Sequence, residues 1–270
     1  MPIYQALLLG AVQGITEFWP VSSTAHLALF QWFFGWGKPQ LAFTVALHVG
    51  TLVAVVIYFR RRLWGLIKAW FASVRDREIG DDRERRLAWF LVLATIPAVI
   101  AGLFLHDAAE VLESMPLFMA FMLASVGAIL WYADSLKAGD RNLDSMGMRD
   151  ALAVGIAQAI ALAPGVSRSG ATMTTALYAG YTREQAAEFA FLLSIPVIAG
   201  AALYEGAKVI KDGLPPGLGK AMLVGAVTAA IFGWFAVKYL LRYLQKGSFK
   251  PFVWYRFALA LAVLIVALAR

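Results

Sequence analysis

Glu17, Ser23 and His26 fall within QGITEFWPVSSTAH, residues 13–26, and Arg168 falls within QAIALAPGVSRSG, residues 158–170. A carboxylate, a hydroxyl, an imidazole and a guanidinium are the parts of phosphoryl transfer: a nucleophile, a proton carrier and a clamp for phosphate oxygens. Ser167 and Ser169 flank Arg168 with further donors, and Ser22, Ser23 and Thr24 follow one another in the first stretch. On a helix Ser23 and His26 share a face, so the imidazole is expected to take the Ser23 proton directly or through water. Ser22 reads as the N-cap of that helix. Gln13 and Glu17 are spaced i, i+4, which leaves two readings. Either they hold a divalent cation that also touches phosphate, since Mg²⁺ typically takes one or two carboxylates, or Glu17 orients His26 without a metal. His48, alone in FTVALHVGTL, reads as a packed or hydrogen-bonded helix residue.

Both stretches interrupt sequence apolar enough to lie in a bilayer. The 270 residues are 61% hydrophobic and 15% charged, with a mean hydropathy of +0.70. A soluble domain of this length cannot hide so much apolar surface, so lipid is the solvent for most of the chain. The net charge of +7 resides in loops between apolar runs and reads as membrane orientation, so no nucleic acid is expected. There are no cysteines, which excludes disulfides and thiolate metal sites. The N-terminus lacks the basic segment and small-residue cleavage site of a signal peptide and reads as mature sequence. An unpaired charge at the bilayer centre costs about 2.5–3.5 kcal/mol. Glu17 and Arg168 should therefore face each other or a ligand.

The apolar runs cover 3–34, 41–59, 87–105, 117–133, 151–180, 187–204, 218–241 and 252–269. Six have the length of a single helical span, while the first and fifth are longer and broken at Pro20 and at Pro164-Gly165. Each of these two is expected to be a re-entrant hairpin of two short helices, with its turn inside the bundle where protein covers the irregular backbone. The stretch 60–86 carries nine Lys or Arg and is placed in the cytoplasm, with 106–116 and both termini outside. At an offset of 145, Gly10, Gln13, Val21, Ser22 and Thr24 meet Gly155, Gln158, Val166, Ser167 and Ser169. The expected fold is an all-α integral membrane protein forming one domain of about ten helices. It comprises a first repeat, 1–135, and a second, inverted repeat, 145–270, each with one re-entrant hairpin and three spans. Helices beginning near Ser22 and Ser167 would point their N-termini at one anion-binding place.

The stretches QGITEFWPVSSTAH and PGVSRSGAT closely resemble the two signature motifs of the bacterial undecaprenyl-diphosphate phosphatases of the BacA/UppP type, and length and hydropathy fit along essentially the whole chain. The resemblance implies an inner-membrane enzyme that removes the terminal phosphate of undecaprenyl diphosphate. This recycles the lipid carrier of cell-wall synthesis and gives bacitracin resistance when abundant. It further implies a divalent cation, Mg²⁺ or Ca²⁺, and a site open to the periplasm. By the resemblance Glu17 is the essential glutamate, Ser23 the nucleophile, His26 the proton-transfer residue and Arg168 the phosphate-binding arginine. Ser22, Thr24, Ser167, Ser169 and Thr172 are supporting phosphate contacts. Many members have a second glutamate where this chain has Gln13, which leaves Glu17 as the principal metal ligand with Gln13 as the other candidate.

The expected partners are a long-chain polyprenyl diphosphate, bilayer lipids and, as a homodimer, a second copy of the chain. Direct attack by water, with Ser23 only binding phosphate, is the competing mechanism. The competing function is a lipid-phosphate transporter or flippase, because inverted repeats with broken helices are also the transporter pattern. The acid-phosphatase-like lipid phosphatases would need an Arg-Pro motif, and Arg-Pro does not occur.

Overall fold

The computed structural model describes residues 1–37, 40–136, 139–213 and 217–270. Among them are ten α-helices: α1 (Ile3–Phe18), α2 (Ser23–Phe34), α3 (Leu41–Asp76), α4 (Arg83–Glu113), α5 (Pro116–Ser135), α6 (Met148–Ile160), α7 (Arg168–Tyr178), α8 (Arg183–Asp212), α9 (Leu218–Leu244) and α10 (Lys250–Ala269), with a 3-10 turn at Leu143–Ser145. Six of these, α3, α4, α5, α8, α9 and α10, are long and apolar enough to cross a membrane. The protein is an all-α integral membrane protein.

The two broken runs divide where proline requires. Trp19, before Pro20, is extended at φ −74°, ψ 145° and ends α1, because the proline ring disfavours helical backbone at the preceding residue. Ser22 then turns the chain at φ 72°, and its hydroxyl accepts from the Ala25 N–H to open α2. In the second run Gly165 (φ 93°) and Ser167 (φ 75°) turn the chain, and the Ser167 hydroxyl accepts from the Gly170 N–H at 3.1 Å to open α7. Only glycine fits at 165, where a Cβ would meet the Met119 carbonyl of α5 at 2.7 Å. Elsewhere the helices outrun the apolar windows. The stretch 60–86, read as a loop, is helical through Asp76 and again from Arg83, since hydropathy marks where lipid ends rather than where hydrogen bonding ends.

Helix α1 packs on α2, and α6 on α7. The open end of the first pair is closed by Tyr4 against Trp36, rings 6.1 Å apart, and Arg270 caps it by donating to the Trp32 and Phe33 carbonyls. At the open end of the second pair Arg141 and Tyr181 both donate to Asp150 at 2.7 Å. Asp134 there pairs with Arg183 and accepts from the Phe249 N–H. Helix α10 thus starts beside the second mouth and ends beside the first. The two hairpins enter from opposite ends of α10.

Small residues let the hairpins seat. A Cβ on Gly10 would lie 2.6 Å from the Gly225 carbonyl oxygen and one on Gly14 2.7 Å from that of Ala229, so α1 rides directly on the backbone of α9. Gly155 seats α6 on α4 in the same way, 2.6 Å from the Ala94 carbonyl oxygen. Gly14→Val and Gly155→Val are expected to cost about 1–3 kcal/mol each. A thermal unfolding midpoint in detergent matching that of the unmodified protein would refute the close seating.

Burial raises the Asp150 carboxyl, but hydrogen bonds from Arg141, Tyr181 and the Gly147 N–H outweigh it and hold the group below the usual carboxylate range. A depressed folded-state value contributes stability above the unfolded value, about 4, that is lost as pH falls through the folded one. Acidification below about pH 4 should therefore lower the unfolding midpoint of the unmodified protein towards that of Asp150→Asn. A constant gap between the two midpoints would contradict this.

Candidate active site

Glu17 ends α1 one turn before the break, and its carboxylate gathers both hairpins. Oε1 accepts from Arg168 Nη2 at 2.7 Å. Oε2 accepts from Ser23 Oγ at 2.6 Å and from Gln13 Nε2 at 2.9 Å. His48 of α3 brings Nε2 to 3.9 Å from the same oxygen. Ser23 and Arg168 are the first residues of α2 and α7, so one carboxylate touches the positive ends of two helices from different hairpins. The Glu17 side chain is 6% exposed, Arg168 17% and His48 33%. The pair is enclosed on the Glu17 side and approachable from the side of His48. Arg168 also donates through Nη1 to the Ser194 carbonyl at 3.3 Å, which leaves three of its five donors for a ligand among the described residues.

The hydroxyls around this pair divide their labour. Ser169 donates to the Trp19 carbonyl at 2.9 Å and lies 3.2 Å from the Ser167 hydroxyl, stitching the second tip to the first turn. Thr172 is buried, and its hydroxyl donates back to the Arg168 and Ser169 carbonyls. Ser22 is buried as a cap, Ser23 is half-buried, and Thr24 is exposed. Ser23 is thus the hydroxyl held against a base.

A fully buried arginine on α10 holds the two turns together. Arg256 donates through Nε to the Leu123 carbonyl and through Nη1 to those of Pro20 and Val166. Through Nη2 it donates to the Met122, Gly165 and Val166 carbonyls. All five carbonyls lie at 2.9–3.3 Å, and among the described residues Arg256 has no carboxylate partner.

Two deep helix breaks feeding one carboxylate, hydroxyl and guanidinium cluster is a narrow constellation, and comparison with known proteins gives it a family. The profile of the bacitracin resistance protein BacA family matches residues 6–262. The chain belongs to the BacA family. Relatives named undecaprenyl-diphosphatase include those of Thermomicrobium roseum, 44% identical over 98% of both chains, and Moorella thermoacetica, 45% identical over 99% of this chain and 98% of the relative. That of Pelotomaculum thermopropionicum is 42% identical over 100% of this chain and 98% of its own length.

In this BacA-family chain the structure brings together Gln13, Glu17, Ser23 and Arg168, but not His26 with Ser23. Both His26 ring nitrogens are engaged elsewhere, Nδ1 with the Ser22 carbonyl and Nε2 with the Tyr255 hydroxyl, each at 2.7 Å. His26 lies buried with its ring nearly parallel to that of Tyr255, tying α2 to α10. The imidazole nearest the carboxylate is His48, which sequence reasoning set aside. A lone histidine in an apolar run carries no sign of the helix it faces. Arg256 was also missed, although its signal was present as a charge inside the last apolar run. No group of three His, Asp or Glu side chains able to hold a metal occurs among the described residues. The Gln13 amide oxygen is buried with no hydrogen-bond partner among the described residues, and because its nitrogen is the atom turned to Glu17, Gln13 would join Glu17 on a cation only with its amide flipped.

Arg256→Met should strand the Pro20, Gly165 and Val166 carbonyls of the two turns in a dry interior and cost about 3 kcal/mol or more, whereas Arg256→Lys keeps part of the set. Detergent thermal unfolding should rank the unmodified protein above Lys and Lys above Met. A Met variant as stable as the original would show that Arg256 does not hold the turns.

Proposed function

We propose that the chain hydrolyses undecaprenyl diphosphate to undecaprenyl phosphate and inorganic phosphate, the activity its relatives are named for. The observation that carries this reading is the Ser23 hydroxyl 2.6 Å from Glu17, whose other oxygen is held by Arg168. A hydroxyl against a carboxylate is an activated nucleophile, and a guanidinium with free donors beside it is a phosphate clamp. Arg168 and the first N–H groups of α2 and α7 bind the terminal phosphate and stabilise its charge. Glu17 takes the Ser23 proton as Oγ bonds to phosphorus, and the bond to the bridging oxygen breaks to release undecaprenyl phosphate. Water then attacks the phosphoserine, restoring the hydroxyl and releasing inorganic phosphate. In this reading Glu17, whose Oε2 lies 2.6 Å from the Ser23 hydroxyl, takes the proton that sequence reasoning assigned to His26.

Glu17, joined by the Gln13 oxygen once that amide is flipped, would hold a divalent cation, for which Mg²⁺ and Ca²⁺ are the oxygen-ligand choices. Such an ion supplies charge neutralisation at the diphosphate. The prenyl tail would lie in an apolar groove between spans. The groove of about 510 Å³ between α3, α4 and α8, lined by Leu66, Leu91, Ile195 and Pro196 among others, lies towards the arginine-rich α3–α4 end and contains none of the polar site residues.

The wider proposal places the protein in the bacterial inner membrane, with the first hairpin opening to the periplasm and the arginine-rich α3–α4 end in the cytoplasm. There it would recycle the carrier of cell-wall synthesis and give bacitracin resistance when abundant. We also propose two inverted repeats. Support comes from Ser22 and Ser167, 145 residues apart, which share positive φ and the same capping bond, and from Gly10 and Gly155, which seat their helices alike.

Phosphate release from a long-chain prenyl diphosphate by purified protein is the test. Glu17→Gln and Arg168→Ala should each lower kcat/KM by about 100-fold or more, and brief incubation should trap phosphate on Ser23. Substrate movement across vesicles without phosphate release would instead establish a transporter.

A further inference from the structure

Ser22 holds a backbone conformation that needs support. At φ 72°, ψ 95° it lies in a region sparsely populated by residues with a side chain, and such a conformation persists only where its surroundings fix it. Its carbonyl accepts twice from one residue, from the His26 N–H at 3.1 Å and from His26 Nδ1 at 2.7 Å. A carbonyl can only accept, so Nδ1 carries the hydrogen and Nε2 presents a lone pair. That lone pair takes the Tyr255 hydroxyl at 2.7 Å, and the two rings lie 7° from parallel with centroids 5.5 Å apart. Tyr255 is 47% exposed on an apolar span, where a phenylalanine would pack as well. Its hydroxyl is the part that needs a reason, and His26 is that hydroxyl's only partner among the described residues.

The second hairpin shows what the turn requires by itself. Ser167 makes the same turn at φ 75°, ψ 114°, and among the described residues its carbonyl takes only the Ala171 N–H, at 2.8 Å. Ala171 stands 145 residues after His26, and Arg168 stands 145 after Ser23. The turn therefore forms without an imidazole, and the imidazole is found on the tip that bears the hydroxyl. We propose that Tyr255 is a positioning residue for Ser23. By donating to Nε2 it holds His26 as a donor to the Ser22 carbonyl. This fixes the peptide joining Ser22 to Ser23, and with it the line along which Ser23 Oγ meets Glu17 at 2.6 Å. Arg256, the next residue of α10, holds the Pro20 carbonyl on the other side of Ser22 at 3.1 Å, so two successive side chains grip the turn from both directions. His26 acts through these ring bonds and does not carry the Ser23 proton. The role rests on the phosphatase reading, while the hydrogen bonds do not.

Single-turnover reaction of the purified full-length protein with a long-chain prenyl diphosphate provides the test, each variant being compared at equal folded fraction as read from thermal unfolding in detergent. Tyr255→Phe keeps the ring and removes the hydroxyl. It should slow the formation of phosphoserine about tenfold or more, leave substrate binding within about twofold, and leave the later hydrolysis of phosphoserine at its original rate. The amide nitrogen of an asparagine can stand where Nδ1 stands and donate to the Ser22 carbonyl, but the amide carries no proton to or from Ser23. His26→Asn should therefore react faster than His26→Ala, and in the His26→Asn background Tyr255→Phe should have no further effect. An unchanged rate in Tyr255→Phe, a loss that persists in the His26→Asn background, or His26→Asn as slow as His26→Ala would overturn the proposal. Absence of phosphate release by the unmodified protein would remove the reaction and the role together, whereas release that Tyr255→Phe leaves untouched removes Tyr255 alone and leaves the phosphatase standing.

Discussion

Backbone carbonyls inside an apolar bundle have no water to turn to, and in this protein the carbonyls of two chain reversals share one donor. Pro20 from the first turn and Gly165 and Val166 from the second all point at Arg256. An unsatisfied buried carbonyl costs about 1–3 kcal/mol, so the guanidinium fixes how far apart the turns can lie. Everything at the tips follows from that distance. Ser22 and Ser167 cap the next helices, the first residues of those helices are Ser23 and Arg168, and both land on Glu17.

Charge is distributed in the same economical way. Arg256 is fully buried and, among the described residues, neutralised only by carbonyl dipoles, a choice that suits arginine because its planar fork can address five acceptors at once. Arg168 instead meets a carboxylate, and that pair stays partly accessible. One guanidinium therefore builds the frame and the other retains donors for a phosphate. Glycines along α1 and α6 make the arrangement possible by letting the hairpins sink onto α9 and α4 until the tips meet.

Much of this was legible in residue order. Pro20 and Pro164-Gly165 mark the reversals because proline and glycine act on the local backbone, and the cost of Glu17 and Arg168 in an apolar setting announces that each needs a partner. What was not legible depends on contacts distant in sequence. His26 faces Tyr255, 229 residues away, and no local spacing distinguishes that partner from Ser23, three residues back. His48 looked like filler because the α1 helix it faces lies 31 residues upstream. Helix ends were misplaced at Asp76 and Glu113 for a different reason: charged residues stop a membrane span without stopping a helix.

Two turns from opposite ends of the bundle build one site through the Glu17–Arg168 contact. Breaking one member of a buried pair leaves an uncompensated charge, whereas neutralising both does not. Unfolding midpoints of Glu17→Gln, Arg168→Gln and the double variant in detergent read this directly. The double variant should be more stable than either single one. Losses that simply add would mean the two residues do not meet.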